Sequence, residues 1–218
     1  MSRRMRILAP LIGALTLSAC GSGNEENLSV IRSLRDAIFN QGESGAAARP
    51  QFSRQAIEES GQDFILAGVP SRGALALLQQ AGTNRGAETW VAEDGVSATY
   101  RNGILIATKG LGPDLMAADV SGTVAALRQG GGTAVRTHEY LDGNDQIIRY
   151  RYECAVQSAG SERITIYERS YDTVKYEESC ESGLQRFTNT FWVGQDGVVW
   201  KSRQLISPPV GYLDSERL

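Results

Sequence analysis

Chemistry in this 218-residue chain has few places to reside: three cysteines, Cys20, Cys154 and Cys180, and a single histidine, His138. A catalytic triad with an imidazole base must run through His138. No Gly-x-Ser-x-Gly turn offers it a nucleophile, so this lone histidine reads as a core or surface residue of a strand. Zinc needs several His or Cys ligands, and with Cys154 and Cys180 paired too few remain. Neither a metal nor another cofactor is expected. Asp142-Gly143-Asn144-Asp145 opens like a calcium loop but lacks the later ligand positions, and a hairpin turn explains it better. Gly103 to Gly112 is flanked by glycines without the Gly-Lys-Ser/Thr ending that cradles phosphates. Glu177 and Glu178 form a carboxylate pair of the kind glycosidases use, yet adjacent strand residues point to opposite faces and cannot flank one bond. Trp90, Trp192 and Trp200 either stack on sugar rings or fill a β core and its rim. No catalytic site emerges, and the chain reads as a non-enzyme.

Cys20 has a different chemistry. Arg3, Arg4 and Arg6 precede an apolar run from Ile7 to Leu17 that is broken by Pro10, Gly13 and Thr16. A cationic start and a short apolar middle describe a secretory signal peptide, too short to span a bilayer. Leu17-Ser18-Ala19-Cys20 resembles the bacterial lipobox, in which the cysteine thiol takes a diacylglycerol and cleavage frees its amine for a further acyl chain. Two or more chains anchor stably where one does not. The expected organisation is a signal peptide at 1–19, a lipidated tether at 20–26 and one domain over 27–218. Gly21 rather than Asp after Cys20 suggests the outer membrane, with the domain facing the periplasm of a Gram-negative bacterium. Cleavage removes three arginines and no acid, leaving 19 basic against 25 acidic residues, a net charge of −6. A mildly acidic chain without a Lys/Arg cluster argues against nucleic acid.

The remaining residues must be held by local elements. Leu28, Ile31, Leu34 and Ile38 fall at helical spacing, Gly42 to Pro50 reads as a loop, and Ser53 caps a short helix through Glu59. The period then changes to two. Strands are expected at Phe64–Ala67, Ala74–Leu78, Thr89–Ala92, Val96–Arg101 and Ile104–Thr108, with Asn102-Gly103 as a tight hairpin turn. Val120 to Arg128 reads as a helical insertion. Strands follow at Ile147–Val156, Arg163–Glu168, Asp172–Cys180, Arg186–Val193 and Val198–Leu205. Turns are expected at Gly143-Asn144-Asp145, Ser158-Ala159-Gly160 and Gln195-Asp196-Gly197, and Ser207-Pro208-Pro209 is expected to end the pairing. The fold class is therefore mainly β: an antiparallel sandwich or barrel-like sheet with one N-terminal helix and a short helical insertion. Cys154 lies on the dry face of its strand, and Cys180 ends a strand whose Val174 and Tyr176 are also apolar. In an oxidising periplasm a Cys154–Cys180 disulfide is the default, and two buried thiols are the alternative.

Three blocks carry a resemblance. They are Trp90-Val91-Ala92-Glu93-Asp94-Gly95 through Tyr100-Arg101-Asn102-Gly103, then Ala107 through Leu115, then Asn189-Thr190-Phe191-Trp192-Val193 with Gly197 through Gln204. Behind a lipobox, their order resembles the YjbF family, the group-four capsule polysaccharide or GfcB-like lipoproteins, over roughly Leu28 to Pro208. Gly42 to Gln62 matches least. The resemblance implies an outer-membrane-tethered, mostly β protein acting beside a periplasmic companion and an outer-membrane β-barrel protein of the exopolysaccharide machinery, with the polysaccharide itself a further candidate partner. It carries no catalytic residues. The expected role is a non-catalytic accessory in exopolysaccharide or capsule production or export; the alternative is a glycan-binding or polysaccharide-modifying protein. The loop Lys109-Gly110-Leu111-Gly112-Pro113-Asp114, with Lys109 and Asp114 as its charges, is the candidate partner contact; a structural crossover that needs its glycines is the alternative.

Overall fold

The computed structural model describes Arg49, residues 53–183 and residues 185–218. Cys20, the expected helix at Leu28–Ile38 and all of the loop 42–50 except Arg49 lie outside these residues. Ser53 caps α1 (Arg54–Glu59) by accepting a hydrogen bond from the Ala56 amide at 3.2 Å. A first run of strands follows: β1 (Phe64–Val69), β2 (Ala74–Asn84), β3 (Ala87–Val91), β4 (Ser97–Arg101) and β5 (Ile104–Lys109). A short strand β6 (Ala117–Asp119) leads into α2 (Ser121–Arg128), close to the expected insertion. The second run is β7 (Gly132–Leu141), β8 (Ile147–Ile166), β9 (Arg169–Glu181), β10 (Arg186–Gly194), β11 (Val199–Ser207) and β12 (Gly211–Arg217).

These twelve strands form one antiparallel sheet in the order β5-β4-β3-β2-β1-β12-β11-β10-β9-β8-β7-β6. Two hairpin-linked runs are joined where β1 pairs with β12. The sheet curls until its edges meet and it is nearly closed: the Thr108 amide at the end of β5 donates to the Leu115 carbonyl just before β6, at 2.8 Å. β5 also lies over β11, where its Leu105 amide donates to Gln204 Oε1 at 2.8 Å. Closure removes the unpaired strand edges that would invite aggregation. The Asn102-Gly103 turn has φ of 50° and 76°, the left-handed pair that a two-residue hairpin requires.

Two expected chain breaks are not breaks. Ser158-Ala159-Gly160 is a β-bulge inside the 20-residue β8, because Ser158 pairs with Tyr176 and Gly160 with Lys175, leaving Ala159 unmatched. The true reversal is at Tyr167 and Glu168, both with positive φ, a pair that carries no glycine signal. Similarly, Ser207-Pro208-Pro209 does not end the pairing. The prolines sit in a turn, where no ladder donor is needed, and β12 follows, bonded to both β11 and β1.

The bulge has a packing consequence. Before it, Tyr152, Cys154 and Val156 point into the concave core with Cys180, Phe187 and Ala126 of α2. One extra residue reverses the alternation, so Ile164 and Ile166 pack instead with Phe64, Leu66 and Ile57 of α1. β1 is consequently buried on both faces, with Ile65, Ala67 and Val69 inside and Phe64 and Leu66 under the folded-back hairpin.

Candidate functional site

Alternation along β7 aims Arg136, His138 and Tyr140 inward together, and β9 aims Glu178 at them. Arg136 Nη1 donates to Glu178 Oε2 at 2.7 Å, with both side chains fully buried. The same oxygen accepts from Asn189 Nδ2 at 2.7 Å, and the Thr123 hydroxyl of α2 donates to Oε1. Arg136 Nε donates to His138 Nε2 at 2.9 Å, and Nη2 donates to the Leu105 carbonyl at 3.2 Å. Since Nε2 accepts, the imidazole proton sits on Nδ1 and is donated to the Tyr140 oxygen at 2.9 Å. The Tyr140 hydroxyl then donates to the Ile206 carbonyl at 3.1 Å. Burial, with the Arg136 cation beside it, holds His138 far below the usual imidazole range, and burial lifts the Tyr140 phenol well above its own.

Every member of this chain finds a partner inside the protein. A buried cation with one carboxylate and well-aimed hydrogen bonds is a structural solution to charge burial. His138 is thus a core residue, one of the two placements its isolation in the sequence left open. Arg136 escaped the sequence reading, yet the signal was present: it shares its face with His138 and Tyr140, and Glu178 shares its face with Tyr176 and Cys180. Glu177 and Glu178 do point to opposite faces, one exposed and one buried.

Cys154 and Cys180 are directly opposite each other on β8 and β9 and are joined by a disulfide with S–S 2.04 Å. Their sulfurs and a Glu178 oxygen lie within 4.8 Å of one another. The oxidised pair has no thiolate to give and Glu178 is already engaged, so the trio does not fit a metal ion.

Trp90 is fully buried in the core, whereas Trp192 and Trp200 are partly buried: the Lys175 and Lys201 ammoniums lie 5.5 and 5.2 Å from the Trp192 ring, and Trp200 stacks on Tyr171 at 4.0 Å.

The loop after β5 is held from within. The Asp114 carboxylate accepts from the Thr108 hydroxyl at 2.7 Å and from the Gly110 and Leu111 amides at 2.9 and 3.1 Å. Arg72 Nη2 donates to the Leu111 carbonyl at 2.7 Å, and the Ser207 hydroxyl donates to that of Pro113 at 2.5 Å. Asp114 is therefore committed to shaping the loop, whereas Lys109 is exposed. Asp142 likewise accepts from the Asn144 and Gln146 amides at 2.8 and 2.9 Å, which makes its segment a hairpin turn.

A concave surface of about 1090 Å³ crosses β7 to β10. Register places the small side chains of Thr133, Ala155, Ser179 and Thr188 in one row across these strands, beside a second row containing Glu153, Glu181 and Arg186. None of the buried network residues lines it.

A family model described as group 4 capsule polysaccharide lipoprotein gfcB, YjbF, matches residues 31–218. Among solved structures, the chain is similar to the hypothetical lipoprotein YmcC from Escherichia coli K12, with a TM-score of 0.68 and 19% identity, covering 86% of this chain and 94% of that one. That likeness establishes the shared fold. No curated protein matches the chain. With most of its length matched by that family model, this chain belongs to the YjbF family of group 4 capsule polysaccharide lipoproteins.

Proposed function

We propose that this protein is a non-catalytic accessory of capsule or exopolysaccharide production, tethered to the outer membrane through acylated Cys20 and working in the periplasm by contact with an outer-membrane β-barrel protein and a periplasmic companion. The observation that carries the non-catalytic part is the sealed state of the Arg136–Glu178–His138–Tyr140 network. Groups suited to acid–base work saturate one another where no substrate reaches them. The Cys154–Cys180 bridge suits an oxidising compartment. On this reading residues 1–19 are cleaved, 20–26 form the tether and 27–218 act as one domain.

Lys109 is the better surface probe of partner contact, because Asp114 has a structural task. A cell carrying Lys109→Glu should lose polymer output while the purified variant melts like wild type. Cys20→Ala should abolish labelling by a clickable fatty acid and lower output as well. Unchanged output in the Cys20→Ala strain would refute the tethered reading, and cleavage of the polymer by the purified protein would refute the non-catalytic one. A second reading, direct contact with the polysaccharide, is favoured by the open groove across β7 to β10; saturable binding of purified polymer that Arg186→Glu weakens would support it.

A further inference from the structure

Closure joins the two end strands, yet one length of edge stays unpaired within the sheet. β9 ends at Glu181, opposite Glu153, so residues 147–152 of β8 run past it with β7 on one side only. Antiparallel alternation assigns the groups on the open side. The Asp142 amide donates to the Gln146 carbonyl and the Met116 amide to the Glu139 carbonyl, both at 2.9 Å. Even-numbered residues of β8 therefore bond to β7, and the amides and carbonyls of Ile147, Arg149 and Arg151 point outward. No backbone group among the described residues pairs with them. The turn after β9 does not fill the path either: a recess of about 680 Å³ lies there, bordered by Arg151, Glu181 and Arg186.

Bare edges are commonly blunted by charge, and Arg149 and Arg151 suit that purpose. The isoleucines do not. Ile147 is 65% exposed and Ile148 38%, one on each face, and Leu141, across from Ile147, is 44% exposed. Strand addition uses such an edge: the backbone supplies affinity and alternate side chains supply selection. Charge then selects the occupant. Arg149 is engaged by Glu139, whereas Arg151 is exposed and has no ion pair with any described residue. A second copy of this chain fits poorly. Two such edges paired about Arg149 set that arginine against itself, and paired about Tyr150 they set Arg149 against Arg151, like charges that destabilise a sheet. We propose that the outward edge of residues 147–151 is a docking site for an extended segment of a partner protein. The segment adds as an antiparallel strand, with apolar residues opposite Ile147 and Ile148 and an acidic residue opposite Arg151. This site stands apart from the accessory role above, since neither polymer nor membrane enters it.

Amide hydrogen exchange, read by NMR on the unlipidated mature chain, Cys20→Ala, provides the test. The probe is a blocked peptide, Thr-Glu-Val-Thr-Val-Val-Thr, which sets its glutamate opposite Arg151 and its last two valines opposite Ile148 and Ile147. It should slow exchange of the Ile147, Arg149 and Arg151 amides saturably, by at least about tenfold, while Ile148 and Tyr150, already bonded to β7, change little. A twin with lysine for glutamate should bind at least about threefold more weakly, and Arg151→Glu should reverse that preference. Arg149→Pro removes one outward donor where an edge tolerates proline and should abolish protection of Ile147 and Arg151 while signals elsewhere keep their positions. Arg149→Thr, which also loses the guanidinium, should keep that protection. Lack of saturable slowing at the three outward amides would overturn the site, as would full protection in Arg149→Pro. Equal binding of the two peptides, unchanged by Arg151→Glu, would refute the acidic partner. Slowing that follows protein concentration without peptide would give the edge to a second copy and overturn the proposal as well.

Discussion

Glu178→Gln isolates one charge in the core with little change of shape. In the native site Oε2 takes both Arg136 and Asn189, and Oε1 takes the Thr123 hydroxyl. A glutamine can place its carbonyl oxygen at the Oε2 position and its amide toward Thr123, whose hydroxyl then accepts. Each hydrogen-bonded neighbour keeps a partner, but the Arg136 cation, with no solvent exposure, loses its counter-charge. Breaking one side of a buried pair costs about 3–5 kcal/mol, a large share of a total stability of about 5–15 kcal/mol. Arg136→Met in the same background removes the stranded cation and leaves the acceptors His138 Nε2 and the Leu105 carbonyl unmatched, at about 1–3 kcal/mol each. The double variant should therefore be no less stable than the sum of its parts predicts, with a favourable coupling of about 0.5–3 kcal/mol. Urea unfolding at pH 7, disulfide intact and followed by circular dichroism, measures all four corners of the cycle. A loss below about 1 kcal/mol for Glu178→Gln would refute the view that this carboxylate compensates a desolvated cation.

Other predictions rest on single contacts. His138 is neutral in the folded protein while the unfolded chain takes up a proton near pH 6.5. Stability should therefore fall as pH drops below that value, by at most about 1.4 kcal/mol per pH unit; a urea midpoint that is flat from pH 7.5 to 5 after correction by a His138→Gln control would contradict it. Reducing Cys154–Cys180, which spans 26 residues, should cost about 3–4 kcal/mol in the chain-entropy account, and the denatured, unreduced mature protein should show no free thiol from this pair. Gly103→Ala should destabilise far more than Gly86→Ala although both glycines have φ near +77°, because a Cβ at 103 would meet the Val199 Cβ at 2.5 Å whereas the space at 86 is open. The shared backbone strain is worth about 1–2 kcal/mol, and equal thermal shifts for the two variants would remove the packing explanation.

Alternation made much of the sheet legible in the sequence. Tyr152, Cys154 and Val156 announced a dry face, and Asn102-Gly103 announced its turn, because both signals are local. The bulge at Ala159 was not legible: Ser-Ala-Gly serves a turn and a bulge equally well, and only the partner strand decides between them. β12 was hidden for a related reason. Gly211 to Arg217 mixes charged and apolar residues, and its strand character comes from pairing with β1, some 150 positions earlier. The polar core was half legible. Glu178 stood on an apolar face, but that it meets Arg136 depends on how the sheet curls, and no local pattern encodes curvature. The Asp114 contacts were obscure because a carboxylate that organises its own loop looks, in sequence, like one offered to a partner.

The pairing of β1 with β12 also fixes an order of events. Ile65 meets Arg217, and the Leu218 amide donates to the Phe64 carbonyl at 3.0 Å, so the sheet joins residues from the beginning and end of the described chain. A polypeptide made from its N-terminus delivers β1 to β5 long before their neighbour arrives. Until residues 211–217 emerge, β1 and β11 each present a bare edge to any other extended chain nearby. Contacts so distant in sequence also form slowly. The interval before β12 arrives is thus the vulnerable stage for this protein, and a holding chaperone that shields strand edges would affect its yield more than its final stability.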